Sequence, residues 1–197
     1  MFVMDRIGPG PEVVARATAG DGPAFRALVD AWRGRVAAFC WRMAGDGASA
    51  EDLAQEVFLH VYQVLRRYDP ARPFAPWMRR VMTNVVLNRL RSRPARPRSL
   101  DAAEEAGALP SDARSPDPVL AATRAEEAAM LRAAVSRLPE GWRAVLALRY
   151  AEGLSVAEVA DALDLPENTV KTRLFRAREA LRAALAVALE APGGGRP

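Results

Sequence analysis

Residues 154–178 read LSVAEVADALDLPENTVKTRLFRAR, and this stretch decides the fold. Ser155 stands three residues before Glu158, the spacing of a capping box, in which each side chain satisfies a backbone N–H of the first helical turn. Val156, Val159, Ala160 and Leu163 follow at helical spacing, and Asp164–Leu165–Pro166 interrupts the run. Pro166 can open a second helix, because the first helical position has no N–H to lose. Leu165 sits where a polar N-cap is expected, so the second helix has no side-chain cap in its sequence. That helix buries Val170 and Leu174 and turns Asn168, Lys171, Thr172, Arg173, Phe175 and Arg176 wholly or partly outward. A capped helix, a tight turn and a donor-rich second helix form a helix-turn-helix, which fits the major groove of DNA.

The rest of the chain sets the bounds. Its 197 residues suit one ordinary domain or two small ones. Half are apolar and 7% aromatic, so cores can form, although alanine supplies much of the apolar share. Cys40 is the single cysteine, which excludes an intramolecular disulfide and a multi-cysteine zinc site. The first ten residues carry Asp5 and Arg6 without an apolar core, so no signal peptide is visible. No run approaches the ~18 uninterrupted apolar residues of a membrane span. The expectation is a cytoplasmic protein without membrane insertion.

The net charge of +4 conceals a segmental pattern. Residues 1–70 carry 8 Arg and 9 acids, and residues 71–100 carry 8 Arg and no acid. Residues 101–140 hold 4 Arg against 8 acids, and residues 141–197 hold 8 bases against 7 acids. Positive charge is thus concentrated in one thirty-residue block and in the second helix of the helix-turn-helix. Two separate basic segments point to two contacts with a polyanion. The 27-to-1 excess of Arg over Lys reflects GC-rich coding bias and carries no functional weight.

Pro94, Pro97, Pro110, Pro116 and Pro118 stand among small and acidic residues, a composition that resists helix and has little to bury. Residues 94–118 are therefore read as a flexible linker. It separates helices near 22–44, 50–67 and 75–92 from helices near 119–137, 140–151, 155–163 and 167–188. Residues 1–20 are read as an N-terminal tail, and 190–197 as a disordered tail. No period-two alternation marks a strand, so the expected class is all-α, with two small helical domains at 21–93 and 119–189.

Residues 49–68, SAEDLAQEVFLHVYQVLRRY, have acids in the first turn, as a helix N-terminus favours. Leu53, Val57, Phe58, Val61, Tyr62 and Leu65 form the apolar stripe, while Asp52, Gln55, Glu56 and Leu59 lie on or beside the other face. On spacing alone that face fits a solvated surface better than a docking surface. In residues 68–93 an aromatic, proline-broken loop carries Tyr68 and Phe74 and leads to Trp77. The helix beyond it sets Arg80, Asn84, Asn88 and Arg91 along one face. Rings beside guanidiniums and amides suit single-stranded or melted nucleic acid, where bases stack and phosphates pair. Trp77 itself fits a core better.

Nothing points to catalysis or a cofactor. His60 is the single histidine, no nucleophile arrangement accompanies it, and no phosphate loop or metal motif occurs. Asp52 and Glu56, four apart on one helix, are too few to assign a metal site.

Three blocks, DLAQEVFLHVY (52–62), RPFAPWMRRVMTNVVLNRLR (72–91) and LPEGWRAVLALRYAEGLSVAEVADALDLPENTVKTRLFRARE (138–179), together resemble the extracytoplasmic-function (ECF) sigma factors of bacteria. The resemblance implies an RNA polymerase subunit with sigma region 2 before the linker and region 4 after it. It implies that Asp52, Gln55, Glu56 and Leu59 dock on the clamp helices of the β′ subunit, which reverses the solvated reading. Phe74, Arg80, Asn84, Asn88 and Arg91 are then candidates for the melted −10 strand. Asn168, Lys171, Thr172, Arg173, Phe175 and Arg176 are candidates for the −35 duplex, with Arg173 and Arg178 on phosphate. The partners implied are core polymerase through β′ and β, promoter DNA and an anti-sigma factor. The helix-turn-helix alone leaves an alternative open: a one-component transcription regulator with an N-terminal sensing domain. A nucleic-acid enzyme is the weaker rival, for want of a catalytic constellation.

Overall fold

A computed structural model describes residues 8–44, 47–92 and 118–190, with only the backbone described for 118–125 and 187–190. Eight α-helices and no strand occur among the described residues, in agreement with the all-α expectation. The linker read at 94–118 lies outside them apart from Pro118, as do residues 191–197 of the expected C-terminal tail.

The segment read as an N-terminal tail contains a helix, α1 (Pro11–Thr18). Pro11 occupies its first turn, Glu12 suits its positive end, and Val14 and Ala17 are buried. Two buried side chains in two turns are too short a periodic signal to stand out in sequence. Gly20, at φ +94°, ends the helix in a backbone region that glycine enters without steric cost. Asp21 then caps α2 (Gly22–Ala44), accepting the Ala24 N–H at 3.0 Å while Arg16 donates to its other oxygen at 2.8 Å.

Leu28, Trp32, Val36, Phe39, Cys40 and Met43 line the buried face of α2. α3 (Gly47–Val64) and α4 (Phe74–Ser92) pack beside it. Leu53, Val57 and Val61 face inward from α3, and a single 3-10 turn, Leu65–Arg67, closes that helix. Met78, Met82, Val86 and Leu90 do the same from α4. Fully burying each large side chain stabilises by about 1.5–3 kcal/mol. Tyr62, expected in the buried stripe, is instead 62% exposed. It meets the ring of Phe25 edge-on at 5.0 Å, so a partly polar ring is satisfied at the surface by an aromatic neighbour.

Beyond the linker come α5 (Pro118–Ser136), α6 (Glu140–Leu146), α7 (Val156–Leu163) and α8 (Glu167–Glu190). α6 widens into a π turn at Ala147–Ala151, where the Glu152 N–H reaches back to the Ala147 carbonyl at 3.1 Å. α5, α6 and α7 all contact α8. The two halves also touch: α4 packs on α7, and α2 and α4 pack on α6. One continuous cluster of buried apolar residues runs from Val14 to Ala177.

Candidate nucleic-acid interface

The helix-turn-helix forms as its sequence dictates. Glu158 donates its N–H to Ser155 Oγ at 3.2 Å, and the Ser155 N–H donates to Glu158 Oε2 at 2.8 Å. These bonds, with the positive charge of Arg79 added, hold the Glu158 carboxyl below its ordinary range. Asp164 ends α7 in the left-handed conformation, φ 54° and ψ 49°, which aspartate tolerates better than most residues. The Leu165 N–H then bonds the Ala160 carbonyl at 3.0 Å, as in a Schellman termination. Leu165 packs partly buried against the core. The missing polar cap is thereby explained: Leu165 serves the end of α7 as an apolar clasp, not the start of α8.

α8 presents the predicted residues together. Val170 and Leu174 are buried, whereas Asn168, Lys171, Thr172, Phe175 and Arg176 are exposed and Arg173 is half-buried. The Thr172 hydroxyl donates to the Asn168 carbonyl at 2.9 Å, leaving its oxygen as an acceptor toward a ligand. Lys171 Nζ lies 3.5 Å from Glu167, and the Phe175 ring is 62% exposed. The Arg173 guanidinium lies over Gly141, where an added Cβ would stand 3.1 Å from its Nη1. Trp142, which sequence reading passed over, shares a shallow groove with Asn168, Thr169, Thr172, Arg173 and Arg176. Its place beside α8 depends on how α6 packs, which no local pattern encodes.

The second basic segment forms a different surface. Asn84, Asn88 and Arg91 are exposed along α4, and Arg80 is half-buried near its start. Phe74 opens α4 inside an aromatic cluster, 5.3 Å from Tyr68, 5.4 Å from Trp77 and 6.1 Å from Trp32 between ring centroids. Tyr68 donates its hydroxyl to the Arg72 carbonyl, tying the preceding loop to that cluster. Phe74 and Trp77 are both half-buried. Arg80 is engaged in the free chain, 3.0 Å from Asp164 and 3.9 Å from Asp161.

On α3, Asp52, Gln55, Glu56 and Leu59 are all exposed on one face. Glu56 sits 3.4 Å from Arg89 of α4. Leu59 is 65% exposed, and exposed Tyr62 one turn on extends the apolar part of this face. The three surfaces are thus an acid-and-leucine face on α3, an amide-and-arginine face on α4 and a donor-rich face on α8. Among the described residues no group of His, Cys, Asp and Glu could hold a metal ion. No helix there is long and apolar enough to cross a membrane.

Comparison with known proteins follows this division. Residues 28–96 match Sigma-70 region 2, and residues 128–181 match Sigma-70 region 4. The chain is 33% identical to the ECF RNA polymerase sigma factor SigW of Bacillus subtilis, covering 83% of this chain and 89% of that protein. It is 35% identical to the RNA polymerase sigma-H factor of Pseudomonas aeruginosa, covering 88% and 92% respectively. Among solved structures it is similar to CnrH in complex with the cytosolic domain of CnrY. That match has a TM-score of 0.60 and 26% identity, over 90% of this chain and 97% of that one. Two family regions in order on an all-helical fold, with relatives matched over nearly their whole length, place this chain in the ECF group of the sigma-70 family of RNA polymerase sigma factors.

Proposed function

We propose that this sigma factor divides its work among the three surfaces. The α3 face, Asp52, Gln55, Glu56 and Leu59 with Tyr62 beside them, docks on the β′ clamp helices of core polymerase. The α4 face, Arg80, Asn84, Asn88 and Arg91 with Phe74 at its start, holds the melted −10 strand. The α8 face, Asn168, Lys171, Thr172, Arg173, Phe175 and Arg176, reads the −35 duplex. The observation that carries this reading is the clustering on exposed helical faces of Asp52, Gln55, Glu56 and Leu59, of Asn84, Asn88 and Arg91, and of Asn168, Lys171, Thr172, Phe175 and Arg176.

The chemistry of each face suits its task. Exposed Leu59 supplies apolar area to a protein contact, and the acids around it set orientation more than affinity. Amides and guanidiniums on α4 reach base edges and phosphates once the strands part, and the half-buried rings of Phe74 and Trp77 offer stacking. On α8, Lys171 and Arg176 suit guanine edges, Asn168 suits adenine, and the Phe175 ring suits a thymine methyl. The role is that of a cytoplasmic specificity subunit with no chemical step of its own. An anti-sigma factor is its proposed regulator, in keeping with the complex of CnrH with a cytosolic domain of CnrY. The one-component regulator is not favoured, since the region 2 match over residues 28–96 occupies the segment its sensing domain would need.

Permanganate footprinting of the reconstituted holoenzyme tests the division. Thymines of the −10 element should become reactive with the native chain and with an Arg176→Ala chain supplied at saturating concentration. They should stay protected with an Asn84→Ala, Asn88→Ala chain that still binds polymerase. Equal melting by the latter would remove α4 from the −10 role.

A further inference from the structure

Trp142 of α6 and Asn168, Thr169, Thr172, Arg173 and Arg176 of α8 line one shallow groove, which holds two guanidiniums and no carboxylate. Two other cations of α8 stand beside acids: Lys171 is 3.5 Å from Glu167, and Arg182 pairs with Glu179. Among the described residues neither Arg173 nor Arg176 forms an ion pair. An acid-free groove with two guanidiniums attracts an anion. Its donors are side chains, because the first-turn N–H groups beside it are already bonded. Those of Trp142 and Arg143 reach the Pro139 carbonyl at 2.9 Å and 3.0 Å, and that of Thr169 reaches the Pro166 carbonyl at 2.9 Å.

Local structure brings Trp142 to this place. Arg143, the next residue, is 1% exposed and donates from Nη1 to the Ser136 carbonyl at 3.2 Å, tying the start of α6 to the end of α5. Trp142 packs against the core and lines the groove as well. Gly141 lies under the guanidinium of Arg173, where an added Cβ would stand 3.1 Å from Nη1 and 3.5 Å from Cζ. The glycine thus leaves the space in which Arg173 rests against α6.

We propose that Gly141 and Trp142 complete a phosphate seat for the −35 duplex, in which Arg173 holds one backbone phosphate between α6 and α8 and the Trp142 ring packs on the adjoining deoxyribose. The inference rests on the reading of α8 given above and adds α6 to it. Phosphate contacts carry no base information, but they fix the register of a recognition helix on the duplex. Arg173 supplies charge-assisted hydrogen bonds. The indole supplies an apolar face for the sugar and one N–H donor for a phosphate oxygen. Gly141 and Trp142 are therefore positioning residues: they set where Arg173 meets the backbone while other side chains of α8 meet base edges.

The test is binding of the reconstituted holoenzyme to a promoter fragment that it transcribes, with single methylphosphonates walked along both strands of the −35 element. Each methylphosphonate neutralises one phosphate. For the native chain, one such change should weaken binding about tenfold, the scale of a charge-assisted hydrogen bond. Arg173→Ala should lose about as much with every −35 sequence and become insensitive to that phosphate alone. Gly141→Ala should show the same signature at smaller size. Its unfolding midpoint in urea should stay native, because the new methyl meets only the end of a flexible side chain. Trp142→Phe, which keeps an apolar ring and removes the N–H, should lose less than Trp142→Ala, and both losses should be uniform across −35 base substitutions. A native methylphosphonate profile in the Gly141 and Trp142 variants, or a loss confined to one base pair, would overturn the seat and leave the reading of α8 standing. A profile flat across the whole element with the native chain would overturn both.

Discussion

Arg89 Nε lies 3.4 Å from Glu56 Oε2, joining the face of α3 proposed to dock on polymerase to the helix proposed to read the −10 strand. Both side chains are about half exposed, so the pair contributes little to stability, and its use is positional. Glu56→Arg should therefore abolish capture by core polymerase while changing unfolding free energy by less than about 1 kcal/mol. Leu59→Arg should do the same, since Leu59 is 65% exposed and packs little. Pull-down on core enzyme with parallel urea unfolding separates the two effects. Retained binding by both variants would remove α3 from the docking role.

On α8, Arg176 projects into solvent beside the groove shared with Trp142. Arg176→Ala should cost about 1–3 kcal/mol of discrimination at one −35 base pair and leave polymerase binding intact. Competition among single-substitution −35 duplexes, assayed with holoenzyme, shows which position is relaxed. A uniform loss across all sequences would reassign Arg176 to phosphate.

The capping box at Ser155 and Glu158 makes a pH-dependent contribution. Ser155→Ala should destabilise the fold by about 1 kcal/mol at neutral pH. Because the Glu158 carboxyl is held below the ordinary value of 4.5 by the Ser155 bonds and Arg79, its contribution is fully present above that value. It is lost as pH falls through the folded-state pKa. The stability difference between Glu158→Gln and the native chain should accordingly shrink on acidification below pH 4.5, read by denaturant titration across pH.

Cys40 is fully buried in α2, and burial pushes its thiol up to about 12. At pH 8 it should remain a protonated thiol and react with a disulfide reagent only when the N-terminal half opens. Labelling under native conditions should follow the population of unfolded chain. Phe39→Ala, which empties a neighbouring core site, should accelerate it by destabilising that half by about 3–5 kcal/mol.

What the sequence disclosed was what short-range rules encode. The capping box, the buried Val170 and Leu174, and the exposed faces of α3, α4 and α8 all follow from residues three or four apart. Leu165 departs from the capping rule only when the turn is read from the start of α8. The bond from its N–H to the Ala160 carbonyl shows that it belongs to the end of α7. Periodicity puts Tyr62 in the buried stripe because it cannot distinguish a buried ring from one held at the surface by Phe25. α1 leaves no periodic signal because two buried residues, Val14 and Ala17, make too short a pattern. The meeting of Arg80 with Asp161 and Asp164 joins elements on opposite sides of the linker, and no local signal foretells it.

Run-off transcription by core polymerase across a genomic promoter library, with and without this chain, is the most direct test of the central claim. The chain should confer initiation at a discrete set of promoters sharing one upstream and one −10 element at fixed spacing. Glu56→Arg should erase every transcript, and Arg176→Ala should alter only the upstream preference. Initiation indistinguishable from core enzyme alone, or a single recognised element without a second at fixed distance, would contradict the account.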